Sequence, residues 1–366
     1  MRVRFACGSI LLAVAASCSR DSVTAPTPDI EPSFGKTPAP AITIAKMPGL
    51  GGSSEAFSTN DAGSVVGYST DATTRYPFAI RWQKQGSAWT LTRVGPPLSY
   101  AYAINEAGAM AGTVADSAAA WLPNGSAESL GLGRANAISN MNTVVGYSYA
   151  SGSVRPAAWT RDAAGWSITL LDQIPGSAYN DSCLASANSV SDEGTIVGVV
   201  YSSDCAKQIA VVWMPKANPG DGWEPASPLA GAQSMAQSIP YSIVGSTVVG
   251  AAWPCATLNG CARRAYRWSL TNAPGLTGAL GSFDARANSV NSAGKTAGSY
   301  IDRRMHAIVW SLNASVFQTL PEFNGYDAHW VWDINNPSGT GTSFIAAGGA
   351  TDGRGGRYAV VWTMPY

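Results

Sequence analysis

Residues 101–121 read AYAINEAGAMAGTVADSAAAW, and this pattern recurs along the chain. Residues 56–82 read AFSTNDAGSVVGYSTDATTRYPFAIRW and keep the same order of parts. A strand of small and larger residues leads into a turn, a β-branched strand that contains a Gly follows, and a further strand ends in Trp. Residues 60–63 (NDAG) suit a type I turn, which favours Asn or Asp first and Gly fourth. The pattern therefore predicts an antiparallel β unit.

Seven copies of the unit occupy residues 41–366, about 47 residues each, which is typical of a four-stranded propeller blade. The repeat glycines are Gly67, Gly112, Gly146, Gly198, Gly250, Gly298 and Gly348. The third strands end at Trp82, Trp121, Trp159, Trp213, Trp268, Trp310 and Trp362. No stretch shows a sustained helical period. The sequence predicts an all-β fold, a seven-bladed β-propeller of four-stranded repeats, with a β-solenoid as the alternative.

The two ends of the repeat region complement each other. Residues 41–47 form a strand before the first unit, and the seventh unit reaches only Trp362, without a fourth strand. We expect the N-terminal strand to complete the last blade and close the ring, which would remove an exposed sheet edge.

The repeat consensus combines an Ile-Asn-x-x-Gly turn, a Val-Val-Gly strand and an Ala-x-x-Trp strand. It resembles the bacterial extracellular HAF repeat, named for a His-Ala-Phe triplet. Residues 305–310 (MHAIVW) are the closest copy and keep the His but not the Phe, whereas residues 77–79 and 264–266 depart further. The resemblance covers residues 41–366 and implies an extracellular or envelope protein; it implies no reaction.

The first 40 residues read as an export signal followed by a linker. A basic start, an apolar run over residues 5–16 and small residues before Cys18 resemble the lipobox of bacterial lipoproteins, although Ala15 stands where that pattern mostly has Leu. The apolar run is too short to span a bilayer. The resemblance implies a signal peptide over 1–17, lipidation at Cys18 and a Pro-rich tether over 18–40. Ordinary cleavage that gives a freely secreted protein is the alternative.

The charge balance limits the partners. The chain has 23 Lys+Arg and 23 Asp+Glu, and charged residues make up 13% of it, about half the usual ~25%. Zero net charge argues against nucleic-acid binding and against a polybasic membrane patch. We expect membrane contact only through the lipid anchor, in a lipoprotein of the outer membrane or cell surface.

Four cysteines lie in the repeat region. An even number in an exported domain favours disulfides, and proximity along the chain pairs Cys183 with Cys205 and Cys255 with Cys261. A four-cysteine zinc site is the alternative, but neither pair has the short Cys-x2–4-Cys spacing. We expect no metal and no cofactor.

The sequence contains no recognisable catalytic motif, and we predict no catalytic residue. Carboxylates are scarce and lie in repeat turns, as Asp61 and Asp192 do. His306 occupies the His position of the repeat, which predicts a structural role. His329 and Asp333 would share a face of an extended strand. We favour a structural, hydrogen-bonded role for His329, and an acid–base pair with Asp333 is the alternative.

The first strands supply the candidate ligand-binding residues. The seven Trp that end third strands are predicted to be core, but Trp332 occupies a first-strand position. Aligned with it are Phe57, Tyr102, Asn136, Asn188, Gln237 and Asn288. First strands of propeller blades line the central channel, so these aromatic and amide groups are predicted to form a ring that binds a sugar or an extended peptide. The alternative is that the ring packs between blades.

These expectations predict a non-catalytic, monomeric extracytoplasmic module that binds an envelope protein or glycan at the channel mouth and long loops such as residues 215–228. The alternative is a glycan-active propeller enzyme, a hydrolase or lyase, with two carboxylates about 5–10 Å apart across a cleft. A purely structural envelope role is the third interpretation. A carboxylate pair at the channel mouth would favour the enzyme.

Overall fold

The computed structural model describes residues 41–365 except 176–182, 184, 203, 219, 272–276, 312–316 and 337–342. The predicted signal peptide (1–17), the predicted tether (18–40) and Cys18 lie outside the described residues. Within the described ranges, no helix has the length and apolar character needed to cross a membrane.

The described chain consists of strands and a single turn of 3-10 helix, Ala232–Ser234. The strand before the first repeat is β1 (Thr43–Lys46). The first sheet holds β2 (Gly51–Thr59), β3 (Val65–Asp71), β4 (Pro77–Gln85) and β5 (Ala88–Pro97). A seven-stranded sheet holds β6 (Ser99–Ile104), β7 (Met110–Val114), β8 (Ser117–Trp121), β9 (Ala127–Ile138), β10 (Val144–Ser148), β11 (Arg155–Asp162) and β12 (Gly165–Leu170).

The remaining sheets are four-stranded. One holds β13 (Ser186–Val190), β14 (Ile196–Tyr201), β15 (Gln208–Trp213) and β16 (Ser227–Pro228). The next holds β17 (Gln237–Val244), β18 (Thr247–Trp253), β19 (Arg264–Ser269) and β20 (Gly278–Ala279). Another holds β21 (Ala285–Val290), β22 (Thr296–Ile301), β23 (Met305–Trp310) and β24 (Phe317–Thr319). The last combines β25 (Tyr326–Ile334), β26 (Ser343–Asp352) and β27 (Arg357–Pro365) with β1.

The seven-stranded sheet is two repeats joined by one long strand. Residues 127–132 of β9 pair with β8, and residues 133–138 pair with β10, both antiparallel. The same strand is therefore the fourth strand of one repeat and the first strand of the next. Each repeat thus has four antiparallel strands, as the sequence predicts.

The N-terminal strand completes the sheet of the last repeat. β1 pairs antiparallel with β27, and Ile44 lies opposite Trp362. This is the pairing that the sequence predicts.

The third-strand tryptophans form the core between sheets, as expected. All seven are at most 1% exposed. Each packs against a neighbouring repeat: Trp121 lies in one cluster with Ala79 of the preceding repeat, and Trp82 lies in one with Val361 of the last. Five of the indoles also donate to a backbone carbonyl, for example Trp82 Nε1 to Pro48 O at 2.8 Å, which satisfies the buried N–H.

Candidate functional site

Every first strand carries a β-bulge at the same place in the repeat. Ala56 pairs with Gly67, and the next pairing begins at Ser58, so the residue between them is unpaired. A bulge of this kind re-aims a side chain. The seven bulged residues are Phe57, Tyr102, Asn136, Asn188, Tyr241, Asn288 and Trp332.

The repeat glycine makes each bulge possible. A Cβ on Gly67 would overlap the carbonyl oxygen of Glu55, and the glycine of every other repeat faces the equivalent carbonyl oxygen just as closely. Any side chain there would push the first and second strands apart. The seven repeat glycines therefore provide close approach of two backbones rather than an unusual backbone angle.

Six of the seven predicted ring residues are bulged residues, and Gln237 is not. Gln237 pairs with Trp253 at the start of β17, and Tyr241 takes the ring position. The turn of this repeat is a tight hairpin in which Val244 pairs with Thr247, so the spacing differs from that of the other repeats. The prediction for Gln237 was wrong because it aligned Ala236 with the Ala that precedes the bulged residue in other repeats, whereas the bulge of this repeat is at residue 241. The run Tyr241-Ser242-Ile243, which matches residues 188–190 and 288–290, was the available signal.

The bulged residues line a cavity of about 620 Å³, hereafter the aromatic cavity. This volume lies within the usual range of ligand pockets. Besides the seven bulged residues, its lining consists of Glu55, Tyr68, Tyr100, Arg134, Tyr147, Ser186 and Arg357. Several of these stand two residues before a bulged residue, and sequence reasoning missed them because the residue type at that position varies between repeats.

Arginines cover the aromatic rings that were expected to stack on a ligand. The Arg134 guanidinium lies 3.9 Å from the ring centroid of Tyr102, and Arg286 lies 4.5 Å from that of Trp332. Tyr102 also stacks in parallel with Tyr100, with centroids 5.9 Å apart. A ligand in this cavity therefore meets the Arg134 guanidinium backed by an aromatic ring, which is a cation–π arrangement.

The ring amides are used in packing between repeats. Nδ2 of Asn136 donates to Ala187 O at 2.9 Å, and Nδ2 of Asn188 donates to Pro240 O at 2.9 Å. Asn288 makes the same bond to the following repeat. The N–H donors of these three amides are therefore used in packing between repeats, which is the alternative that the sequence analysis gave for the ring.

Glu55 is a buried carboxylate in the lining of the aromatic cavity. Its Oε1 accepts from Nε1 of Trp330 at 2.8 Å and from Nε1 of Trp332 at 2.6 Å. Arg357 lies 3.7 Å from its Oε2. Burial and the charge of Glu55 raise the pKa of Tyr68 to about 12, so the phenol stays protonated. Two indole N–H groups and Arg357 thus compensate the negative charge of Glu55 within the protein.

Four exposed apolar residues of the first three repeats lie close along the chain to residues that line this cavity, and they are called here the apolar rim. They are Tyr76, Leu98, Leu132 and Tyr149, between 43% and 59% exposed. Backbone hydrogen bonds connect them: Leu98 N donates to Pro77 O, next to Tyr76, and Tyr149 N donates to Leu132 O. The hairpin at residues 115–116 bonds to Leu98 O on one side and to Gly133 N on the other.

The rim adjoins the cavity and includes a strained position. Tyr149 packs edge-on against Tyr147, which lines the cavity, with centroids 5.9 Å apart. Leu98 has φ 64°, a left-handed conformation that Leu rarely adopts. An exposed leucine at such a position contributes nothing to the core and costs on the order of 1 kcal/mol, which points to a role for its side chain.

A second cavity, of about 410 Å³, lies at the repeat turns and is called the turn-end cavity. A smaller one of about 220 Å³, lined by the bulged residues and those that follow them, lies between the two. The turns bond to each other in series. Asn336 N donates to Asp61 Oδ1 at 2.7 Å, Asp61 N donates to Glu106 Oε2 at 2.8 Å, and Glu106 N donates to Asn140 Oδ1 at 2.9 Å.

Carboxylates gather at the turn-end cavity. They are Asp61, Glu106, Asp192, Glu193 and Asp333, and its lining in the described chain contains no Lys or Arg. Loss of solvation, together with the negative charges of Asp61, Asp333 and Asp192, raises the pKa of Glu106 to about 7, although a hydrogen bond from Asp61 N opposes this. The carboxylate pair that the enzyme interpretation requires thus has candidates here.

The two histidines have structural partners. His306 lies between two carboxylates, with Nδ1 2.6 Å from Glu322 Oε1 and Nε2 3.1 Å from Asp302 Oδ1. His329 is buried, and its Nε2 accepts from Phe323 N at 3.1 Å. Burial lowers the pKa of His329, which keeps it neutral.

His329 and Asp333 do not form a pair. The bulge at residue 332 shifts the strand by one residue, so that Val331 and Asp333 lie opposite the consecutive residues 348 and 347. His329 and Asp333 consequently point to opposite faces of β25. The expectation that they share a face was wrong because it assumed an unbroken strand.

Both predicted disulfides are present. Cys183 is bonded to Cys205 and Cys255 to Cys261, with Cα–Cα distances of 5.6 Å and 5.8 Å. Two disulfides indicate an oxidising, extracytoplasmic environment. Among the residues with described positions, no three His, Cys, Asp or Glu are arranged to hold a metal ion.

Comparison with solved structures supports the fold assignment. The β-propeller domain of the Trilobed protease from Pyrococcus furiosus, described as having an open velcro topology, matches 86% of this chain and 96% of its own at 9% identity and a TM-score of 0.52. A puromycin-hydrolysing peptidase of Mycobacterium tuberculosis matches 81% of this chain at 11% identity and a TM-score of 0.50, and the match spans 49% of the peptidase. At these identities the likeness concerns the fold alone: a β-propeller.

Two further comparisons gave no match. No protein-family model matches this sequence. No curated protein matches it either.

Proposed function

We propose that the protein is a seven-bladed β-propeller closed by its N-terminal strand, and that it binds a protein partner outside the cytoplasm without catalysis. Contacts between first strands support the blade count: each one contacts the next along the chain, and β25 contacts β2. Bonds from residues 333–336 to residues 58–61 join the last repeat to the first. The pairing of β1 with β27 supports closure.

We also propose that the chain is an exported lipoprotein of the HAF-repeat type, attached through Cys18. The two disulfides and the repeat pattern of residues 41–366 support export. Radiolabelled palmitate incorporated into the wild-type chain and lost in Cys18→Ser would support the anchor. Release of unlabelled wild-type protein into the medium would favour plain secretion.

The observation that carries the binding proposal is the apolar rim beside the aromatic cavity. Exposed apolar groups that adjoin one another are characteristic of protein-interaction surfaces, and the aromatic residues at this mouth suit such a contact. The same features disfavour a sugar-stacking site, because Arg134 and Arg286 already cover ring faces of Tyr102 and Trp332.

A crosslinking pull-down from the native envelope tests this proposal. We expect wild type to recover a stoichiometric protein partner that Leu132→Asp fails to recover. Met141→Asp is the matched control, since Met141 is 73% exposed but lies in a repeat turn. Trp332→Ala and Tyr102→Ala should also lose the partner if the cavity takes part. Equal recovery by Leu132→Asp and wild type would refute the rim as the interface.

A glycan-active enzyme is the second candidate, and the turn-end cavity is the observation that favours it. Glu106, whose pKa is raised to about 7, is the candidate general acid, and Asp192 in the lining of the same cavity is the candidate second carboxylate. The hydrogen bonds of these carboxylates to neighbouring turns argue for a structural role instead. Hydrolysis or elimination of an envelope polysaccharide by wild type, abolished in Glu106→Gln and in Asp192→Asn, would establish the enzyme and contradict the non-catalytic proposal.

A further inference from the structure

Arg134 places a positive charge in the wall of the aromatic cavity without a carboxylate beside it. Its guanidinium lies over Tyr102, and its Nε is buried with no hydrogen-bond partner in the described chain. The ion pairs found between described residues involve other arginines, for example Arg93 with Asp71 and Arg161 with Glu128. In a chain with so few charges, a half-buried unpaired guanidinium is costly unless an anion compensates it.

The carboxylate in the cavity lining forms no ion pair with Arg134. Glu55 is the one acid in the lining of the aromatic cavity, and two indole N–H groups and Arg357 already compensate it. The cavity therefore retains an uncompensated positive charge.

A second arginine reinforces this positive field. Arg286 occupies the repeat position equivalent to Arg134, two residues before the bulge, and lies over Trp332. Its Nε donates to Ser299 Oγ at 3.2 Å, a neutral partner. Burial lowers the pKa of Arg286, and the charges of Tyr241 and Glu55 only partly oppose this.

We propose that Arg134 forms a carboxylate subsite that receives an acidic group of the bound polypeptide. This inference rests on the proposed function: apolar side chains of the partner cover the rim, and a carboxylate of the same segment enters the cavity. A guanidinium held against an aromatic ring is restricted in its movement, and its paired N–H donors can bind a carboxylate with two parallel hydrogen bonds. The carboxylate comes from an Asp or Glu side chain or from the C-terminus of the partner.

Selection from a random heptapeptide library displayed with free C-termini tests the subsite. Peptides that bind the wild-type protein are synthesised as the free acid, as the C-terminal amide, and with Asp and Glu replaced by Asn and Gln. Affinities are measured by fluorescence anisotropy. Loss with the amide assigns the C-terminal carboxylate; loss with the Asn and Gln versions assigns a side chain. Retention of affinity by both versions would overturn the proposal.

Variants of the protein provide the second arm. We expect Arg134→Gln to weaken binding of the acidic peptide about tenfold to hundredfold, the usual scale for a charge-assisted bond. Its affinity for the neutral version should match that of wild type. Arg134→Lys should lie between the two, because the charge stays but the paired donors are lost. Arg161→Gln removes a charge from an outer strand and should leave affinity unchanged.

The outcomes separate this inference from the proposed function. Peptides that depend on Leu132 but are insensitive to Arg134→Gln would refute the subsite and leave the rim intact. If wild type selects no peptide but binds oligogalacturonate in an Arg134-dependent manner, the ligand is an acidic glycan and both proposals for a polypeptide fail. Unchanged urea midpoints of the variants confirm that affinity rather than folding has changed.

Discussion

The aromatic cavity and the turn-end cavity are lined by the same seven first strands but differ in what their polar groups do. At the turn end, carboxylates and amides bond from one repeat turn to the next, as Asp61 and Glu106 do. At the aromatic end, Arg134 and Arg286 lie on rings without a carboxylate partner. Internal satisfaction is characteristic of structure, and unsatisfied charge is characteristic of a binding surface. We therefore expect the turn end to contribute stability, and the difference supports our proposal that the aromatic end contacts the partner.

The largest expected effect is the loss of stability on removing Asp333. Its carboxylate accepts from Ser58 Oγ and Thr59 N of the first repeat and from Ser289 Oγ of the sixth. Asp333→Ala leaves these donors without their acceptor, so we expect about 3 kcal/mol less unfolding free energy. Urea denaturation measures it.

The exposed Asp116 is the control for this change, and Asp116→Ala should stay within about 0.5 kcal/mol of wild type. A loss at Asp333 no larger than at Asp116 would contradict a structural turn end.

Glu106→Gln should have a moderate effect that depends on pH. The folded state raises the pKa of Glu106 from 4.5 to about 7, so folding favours the protonated form. Wild type therefore loses stability as pH rises from about 4.5 to about 7, and Gln avoids this loss. Because the side chain is solvent-accessible, we expect the variant to be more stable by only about 1 kcal/mol at pH 8, with no gain at pH 4.

Thermal unfolding of both proteins between pH 4 and pH 8 measures this difference. Glu193→Gln in the same cavity is the control. A stability difference between the two proteins that does not change with pH would show that the folded state does not raise the pKa of Glu106.

The smallest expected effect is a gain in stability on replacing Leu98 of the apolar rim. Leu98→Asn replaces a residue that strains at φ 64° with one that tolerates this conformation, so we expect about 0.5 kcal/mol more stability. Partner recovery should fall at the same time, because the rim loses an apolar side chain. Leu258→Asn, an exposed leucine in the Cys255–Cys261 loop, should change neither. A Leu98→Asn variant that loses stability would refute the strain interpretation.

The sequence predicted the periodic part of the molecule. The tryptophans, the pairing of β1 with the last repeat and six ring positions all follow from a repeated spacing, and the disulfides follow from the number of cysteines and their proximity along the chain. Gln237 was wrong because one tight hairpin changes that spacing, and the His329–Asp333 pair was wrong because a bulge changes strand parity.

The distinctive residues of the candidate site could not be predicted in this way. Glu55, Arg134 and Arg286 occupy equivalent positions, yet the residue there varies along the repeats, with Arg in only two of the seven, and a repeat analysis discards positions that vary. Leu98 and Leu132 look like ordinary strand residues until the fold exposes them. Counting two residues upstream from each bulge would have found the first three.

The pairing of β1 with β27 also sets the order of folding. β1 (Thr43–Lys46) can pair only after residues 357–365 have been synthesised, so the first strand of the domain is paired last. Such a long sequence separation slows the final step, because the chain must close a loop of the whole domain. During export the chain would spend that interval with β1 unpaired and one edge of β27 open.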